Sequence, residues 1–137
     1  YQGHRCVFLR AGSEHHSVGL MPLALRDELR MSSRTSLMSI GLQVQTYQQL
    51  RDARHFLKSH GLREIELPCE LHPGMQYAAH FMLDELHCIA LYFEMDQLGW
   101  SGQVRPDAAP VPLAAWPETL PAQPWTYDST LRQGPLG

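Results

Sequence analysis

The most regular hydrophobic pattern in the chain begins at Leu37. In LMSIGLQV, Met38, Ile40, Leu42 and Val44 fall on one side of an extended strand, and Leu37, Ser39, Gly41 and Gln43 on the other, because successive strand side chains point to opposite faces. The first row is expected to be core and the second a mostly small or polar face. Thr46 and Gln49 then stand at capping-box spacing, and Tyr47, Leu50, Ala53, Phe56 and Leu57 recur at helical intervals up to Gly61, a residue suited to a left-handed stop. This predicts a helix of about three turns. Three further extended runs follow: REIELP, MQYAAHFML after an HPG turn, and HCIALYFEM after DEL. The predicted order is β-α-β-β-β. In the last run Ile89, Leu91 and Phe93 form an apolar row expected to lie under the helix, while Cys88, Ala90, Tyr92 and Glu94 face the other way.

Residues 1–21 precede this unit and contain RCVFLR and HHSVGLM separated by AGSE, which predicts a hairpin. Residues 22–36 carry charge and then a Ser/Thr cluster, the composition of a linker with room for one helical turn. The complete unit spans 37–95 and an arm spans 96–137. Within that arm, residues 101–137 hold seven of the ten prolines and only five charged side chains, so an irregular wrapping segment is expected in place of a strand. Trp116 and Trp125 imply that the arm docks, since two large rings left in water are costly.

The 137 residues suit one compact domain large enough to keep a core without disulfides. A net charge of −3 and a single lysine, Lys58, leave no basic stripe for phosphates, which argues against nucleic-acid binding. No apolar run approaches the roughly 20 residues of a membrane span, and YQGHRCV lacks a secretory layout, so a soluble cytoplasmic protein is expected. Cys6, Cys69 and Cys88 are odd in number and without zinc spacing, and are expected to be buried thiols in a reducing compartment. Tyr1 in place of an initiator Met sets the expectation that the natural chain starts upstream. No glycine-rich phosphate loop, GxSxG elbow, HExxH motif or nucleophilic cysteine context occurs.

The β-α-β-β-β unit, with HHSVGL, SIGLQV opening the unit and DELHCIALYFEMDQLGW closing it, resembles the vicinal oxygen chelate superfamily of glyoxalases, bleomycin-resistance proteins and extradiol ring-cleaving dioxygenases. The resemblance covers about residues 4–105 and is strongest at the closing phrase. WPETL and GPLG in the tail are similar to the trailing arm of the dioxygenase-like branch. It implies an α+β fold in which one complete βαβββ module and a partial preceding module pair into a half-open barrel, with an irregular Pro-rich C-terminal arm. The hairpin corresponds to the last two strands of that preceding module. A half module leaves an open edge and an uncovered apolar face, so completion by a missing N-terminal segment or a homodimer is expected.

The resemblance also implies a metal centre built from two histidines and one glutamate. The first histidine falls outside this sequence, the second is expected where Ser39 stands, and the glutamate where Ala90 stands. Iron(II) or manganese(II) in such a facial site needs imidazole and carboxylate donors; a methyl offers none and a neutral hydroxyl is weak. The expectation is a degenerate centre without a metal cofactor. By the same resemblance His16 matches a catalytic acid/base, His72 a histidine that contacts the substrate oxygen, and Phe81 stands where the branch often carries Tyr. Strand parity instead groups His16 with Val18 and Leu20, favouring His15 for the polar side, so the inward histidine of the pair stays open.

Tyr92, on the cleft face, offers a ring for stacking and a hydroxyl for a polar edge. His72 stands before Pro73 and Gly74, where an ordinary turn residue would serve as well. His80 suits either a buried hydrogen-bonded role or a pocket. His55 and His60 are expected on the surface, and His87 in a turn. Two functions follow. The first is a metal-free binder of a small planar or aromatic molecule, held between Tyr92, Phe81 and His72 in the cleft left at Ser39 and Ala90. The second is an Fe(II)- or Mn(II)-dependent extradiol-type dioxygenase, or a glyoxalase-like lyase, completed by upstream residues or a partner subunit.

Overall fold

The computed structural model describes residues 1–31, 34–98 and 109–120. Expectations for Trp125 and for the remainder of the arm lie outside the described residues. Among the described residues, two sheets and two α-helices make an α+β architecture. Strands β1 (Val7–Leu9) and β2 (Val18–Leu20) pair antiparallel as the expected hairpin, though each is shorter than its apolar run. Helix α1 (Ala24–Glu28) occupies the segment expected to be a linker and buries Leu25 completely.

The main sheet is built from β3 (Ile40–Val44), β4 (Arg63–Ile65), β5 (Tyr77–Met82) and β6 (Cys88–Phe93), in the order β3-β6-β5-β4. Helix α2 (Tyr47–Ser59) connects β3 to β4. The expected capping box is formed: the Thr46 hydroxyl accepts from the Gln49 amide, and the Gln49 side chain accepts from the Thr46 amide. Gly61 adopts the left-handed conformation at φ 79° just past the helix end. β3 runs parallel to β6, while β4, β5 and β6 form an antiparallel meander. A parallel pair needs a crossover, and α2 supplies it.

Helix α2 covers one face of the sheet. Tyr47 and Leu50 meet Tyr77 and Leu91, with Val44, Ile89 and Phe93 packed beside them, so the row Ile89, Leu91, Phe93 lies under the helix as its alternation predicts. The companion row on β3 is covered only at its end. Ile40 and Leu42 remain about half exposed, at 51% and 49%, because β3 is an edge strand and the helix lies mainly over the strands beside it. The arm docks on this side too. Trp116 packs edge-on against Tyr77 and tilted against Tyr47, under the Arg54 guanidinium, while the Tyr47 hydroxyl donates to the Pro117 carbonyl at 2.7 Å.

The cysteines differ from the expectation of buried thiols: only Cys88 is buried, Cys6 is intermediate and Cys69 is exposed, and all three are free. Among the described residues no helix is long and apolar enough to cross a membrane.

Candidate functional site

The opposite face of the main sheet carries two rows of side chains. Ladder register sets Gly41, Ala90, His80 and Ile65 side by side, with Gln43, Tyr92 and Ala78 in the row beyond. Ser39 precedes β3 in phase with Gly41 and therefore extends this side of the strand. Gly41 leaves room for its neighbour, since a Cβ there would lie 3.3 Å from Cε1 of Tyr92. Tyr92 is buried with Met75, Ala78 and Met95, so its ring is held by methionines, which fill irregular gaps well. Burial raises its pKa, and the nearby Glu14 charge adds to the rise.

The hairpin closes one end of this face. Backbone bonds run from His15 to the Asp96 carbonyl and from Leu98 to the Ser13 carbonyl, both tying the β1–β2 loop to the chain leaving β6. They bring in His15 and His16, whose Nδ1 atoms lie 3.2 Å apart and share one hydrogen. His16 is the buried member and packs against Phe8 with ring centroids 5.0 Å apart, while His15 is only partly buried. Burial lowers the pKa of both; for His16 the next causes are the charges of His15 and His72. Strand parity does not apply here, because β2 begins only at Val18.

His72 caps a 3-10 turn, Cys69–Leu71, and its ring lies 5.0 Å from that of His80. His72 Nε2 sits 3.2 Å from the Leu67 carbonyl. Burial lowers the His72 pKa, partly offset by its backbone hydrogen bonds and the Glu70 charge. His80 is only 4% exposed, and burial, with His72 adding to it, brings its pKa down to about 4. No described residue hydrogen-bonds the His80 ring, so of the two expected roles the structure favours the pocket: His80 is buried and lines a cleft of about 420 Å³ between the β4 edge and Pro110–Leu113.

The structure therefore brings His16, His72, Ala90 and Tyr92 to one side of the sheet. It separates Phe81 from them. Phe81 pairs with Ile89 on one side and Glu64 on the other, is 0% exposed, and by register belongs to the helix-covered face. The physical reason is the strand period: Phe81 and His80 are neighbours, and only one can face the cleft. His80 takes that place, and its parity with Ala78 is the sequence signal for it. His55 and His60 are exposed, and His87 bonds Asp84 in the turn before β6, as expected.

The residues present do not fit an iron or manganese centre at the positions that the resemblance implies. Ala90 offers a methyl and Ser39 a hydroxyl, and among the described residues no three His, Cys, Asp or Glu side chains converge to hold an ion. Comparison with protein-family models, with curated proteins and with solved structures found no match to this chain.

Proposed function

We propose that this chain is a vicinal oxygen chelate protein with a degenerate metal site, whose cleft holds a small planar or aromatic molecule. The observation that carries the reading is Ala90, buried at 2% exposure between Gly41 and His80, where the fold's metal carboxylate would stand. Support for the fold comes from the strand order with its parallel β3–β6 pair, the crossover helix, and a preceding hairpin joined to the same cleft. In this reading the ligand lies over the Gly41–Ala90–His80 row, beside Tyr92 and His72. Free thiols accord with a reducing, cytoplasmic setting.

The test is metal analysis of protein purified without chelators, followed by titration with Fe(II) and Mn(II). Substoichiometric metal and no tight binding are expected; a stoichiometric, high-affinity ion overturns the reading.

The same proposal assigns the outer face of the hairpin to a second copy. Val7, Leu9, Val18 and Leu20 form one exposed apolar row there, a two-stranded sheet alone is marginal in water, and a two-fold contact lets the row meet itself. A dimer in sedimentation, converted to monomer by Val18→Asp, is the expected result.

A second reading, a metal-dependent extradiol-type dioxygenase or glyoxalase-like enzyme completed by another segment or subunit, draws on the electrostatic proximity of His16 and His72. Oxygen uptake with catechol and 2,3-dihydroxybiphenyl in the presence of Fe(II) would favour it.

A further inference from the structure

We propose that His72 and His80 form the polar end of a subsite for an uncharged molecule that carries a hydrogen-bond donor beside an acceptor, a carboxamide or hydroxyl, on a compact apolar body. The proposal rests on reading this side of the sheet as a ligand cleft, and it adds the chemistry of what enters.

The tautomer of His72 follows from its neighbour. A backbone carbonyl only accepts, so the Nε2 atom 3.2 Å from the Leu67 oxygen carries the hydrogen. A neutral imidazole has one N–H, which leaves Nδ1 with a bare lone pair. That Nδ1 is buried and has no hydrogen-bond partner among the described residues. Beside it, His80 is 4% exposed, lines the same cleft with its ring 5.0 Å from that of His72, and makes no side-chain hydrogen bond to a described residue. A buried ring nitrogen without a partner, as at His72 Nδ1, is costly. A group that donates to His72 Nδ1 removes that cost, and the His80 ring beside it can bond the same molecule from its other side.

The walls define the rest of the molecule. Ile65, Leu67, Ala78, Pro110, Val111 and Leu113 are apolar, and about 420 Å³ suits a small ring. Among the described residues the charged member of the lining is Glu66, with no Lys or Arg beside it, and Glu70 acts on His72 from the adjoining turn. An anion would face a lone pair and two carboxylates, with no cation among the described lining residues to meet it. A neutral hydrogen-bonding group meets no such penalty.

Benzamide, phenol and benzoate separate these cases, since benzoate matches benzamide in shape and differs in charge. Long-range proton–nitrogen NMR of the full chain at pH 7 reports the tautomer of His72 and follows both rings during titration. The expected results are a His72 hydrogen on Nε2, perturbation of His72 and His80 by benzamide and phenol, and benzamide binding about tenfold or more tighter than benzoate. His80→Phe, which keeps the ring volume, is expected to abolish the preference while the circular-dichroism spectrum stays native. Benzoate binding as tightly as benzamide, no response to any probe, or a His72 hydrogen on Nδ1 overturns the proposal. The metal titration is independent: tight Fe(II) binding sinks the degenerate-centre reading while leaving the tautomer and the benzamide preference intact.

Discussion

Gly74 is packed against His15 so closely that a Cβ on Gly74 would lie 2.6 Å from Cβ of His15. The contact joins the hairpin loop to the turn before β5. Gly74 also has φ 79°, a conformation that costs an ordinary residue about 1–2 kcal/mol. Gly74→Ala is expected to destabilise the fold by more than that strain alone, because the clash involves a Cβ and ring root that cannot swing aside. The check is the urea midpoint, with Gly12→Ala, whose added Cβ meets nothing within 4 Å, as the near-neutral control.

The histidine cluster sets a pH dependence. His80 falls from 6.5 in the unfolded chain to about 4 in the fold, so between these values the unfolded state binds the extra proton and stability rises with pH. His15, His16 and His72 are lowered too and act in the same direction. Full stability is expected above pH 6.5, with a loss of about 3 kcal/mol from His80 alone on descending to pH 4. Denaturant unfolding at pH 7 and pH 4.5 measures it. His80→Phe should flatten the slope; an unchanged slope would remove His80 as its source.

Trp116 anchors the arm through aromatic contacts to Tyr47 and Tyr77 and through its indole N–H, which donates to the Val111 carbonyl at 3.0 Å. Because the ring is only half-buried, Trp116→Ala is expected to cost about 2–3 kcal/mol, below the range for a fully buried ring. Limited proteolysis should then cut within residues 109–120 sooner than in the parent protein.

Thiol reactivity should sort the cysteines. Cys88 is buried on β6, and burial pushes its pKa up to about 11. Cys69 is exposed, though the neighbouring Glu70 carboxylate raises its pKa. An aromatic disulfide reagent is expected to label Cys69 in the native protein and Cys88 only on unfolding. Equal native rates would contradict the packing of β6.

Local signals made much of this fold legible. The Thr46–Gln49 cap, the helical spacing to Leu57 and the strict alternation of β6 each report on their own neighbours, and the structure follows them. Coverage was not legible in the same way. Ile40 and Leu42 carry the pattern of a core strand, yet their exposure depends on where a helix several residues away comes to rest. At the candidate site, the phase of β6 sets Ala90 and Tyr92 on one face of the sheet. At His80 the pattern is silent, because a lone histidine between Ala79 and Phe81 does not disclose what faces it. Phe81, which the resemblance sets at the cleft, lies on the helix-covered face, because the two-residue period of β5 gives the cleft side to His80. His16 lies in an irregular loop, where periodicity is silent.

The parallel pairing of β3 with β6 has a consequence for how the molecule comes into being. β4, β5 and β6 join through short turns, whereas Ile40 finds Ile89 only after everything between them has been laid down. Contacts between distant parts of a chain form slowly. During synthesis, residues 40–44 must therefore wait without their partner until Phe93 has left the ribosome. That interval is when this strand is most open to capture by a chaperone or by another nascent copy.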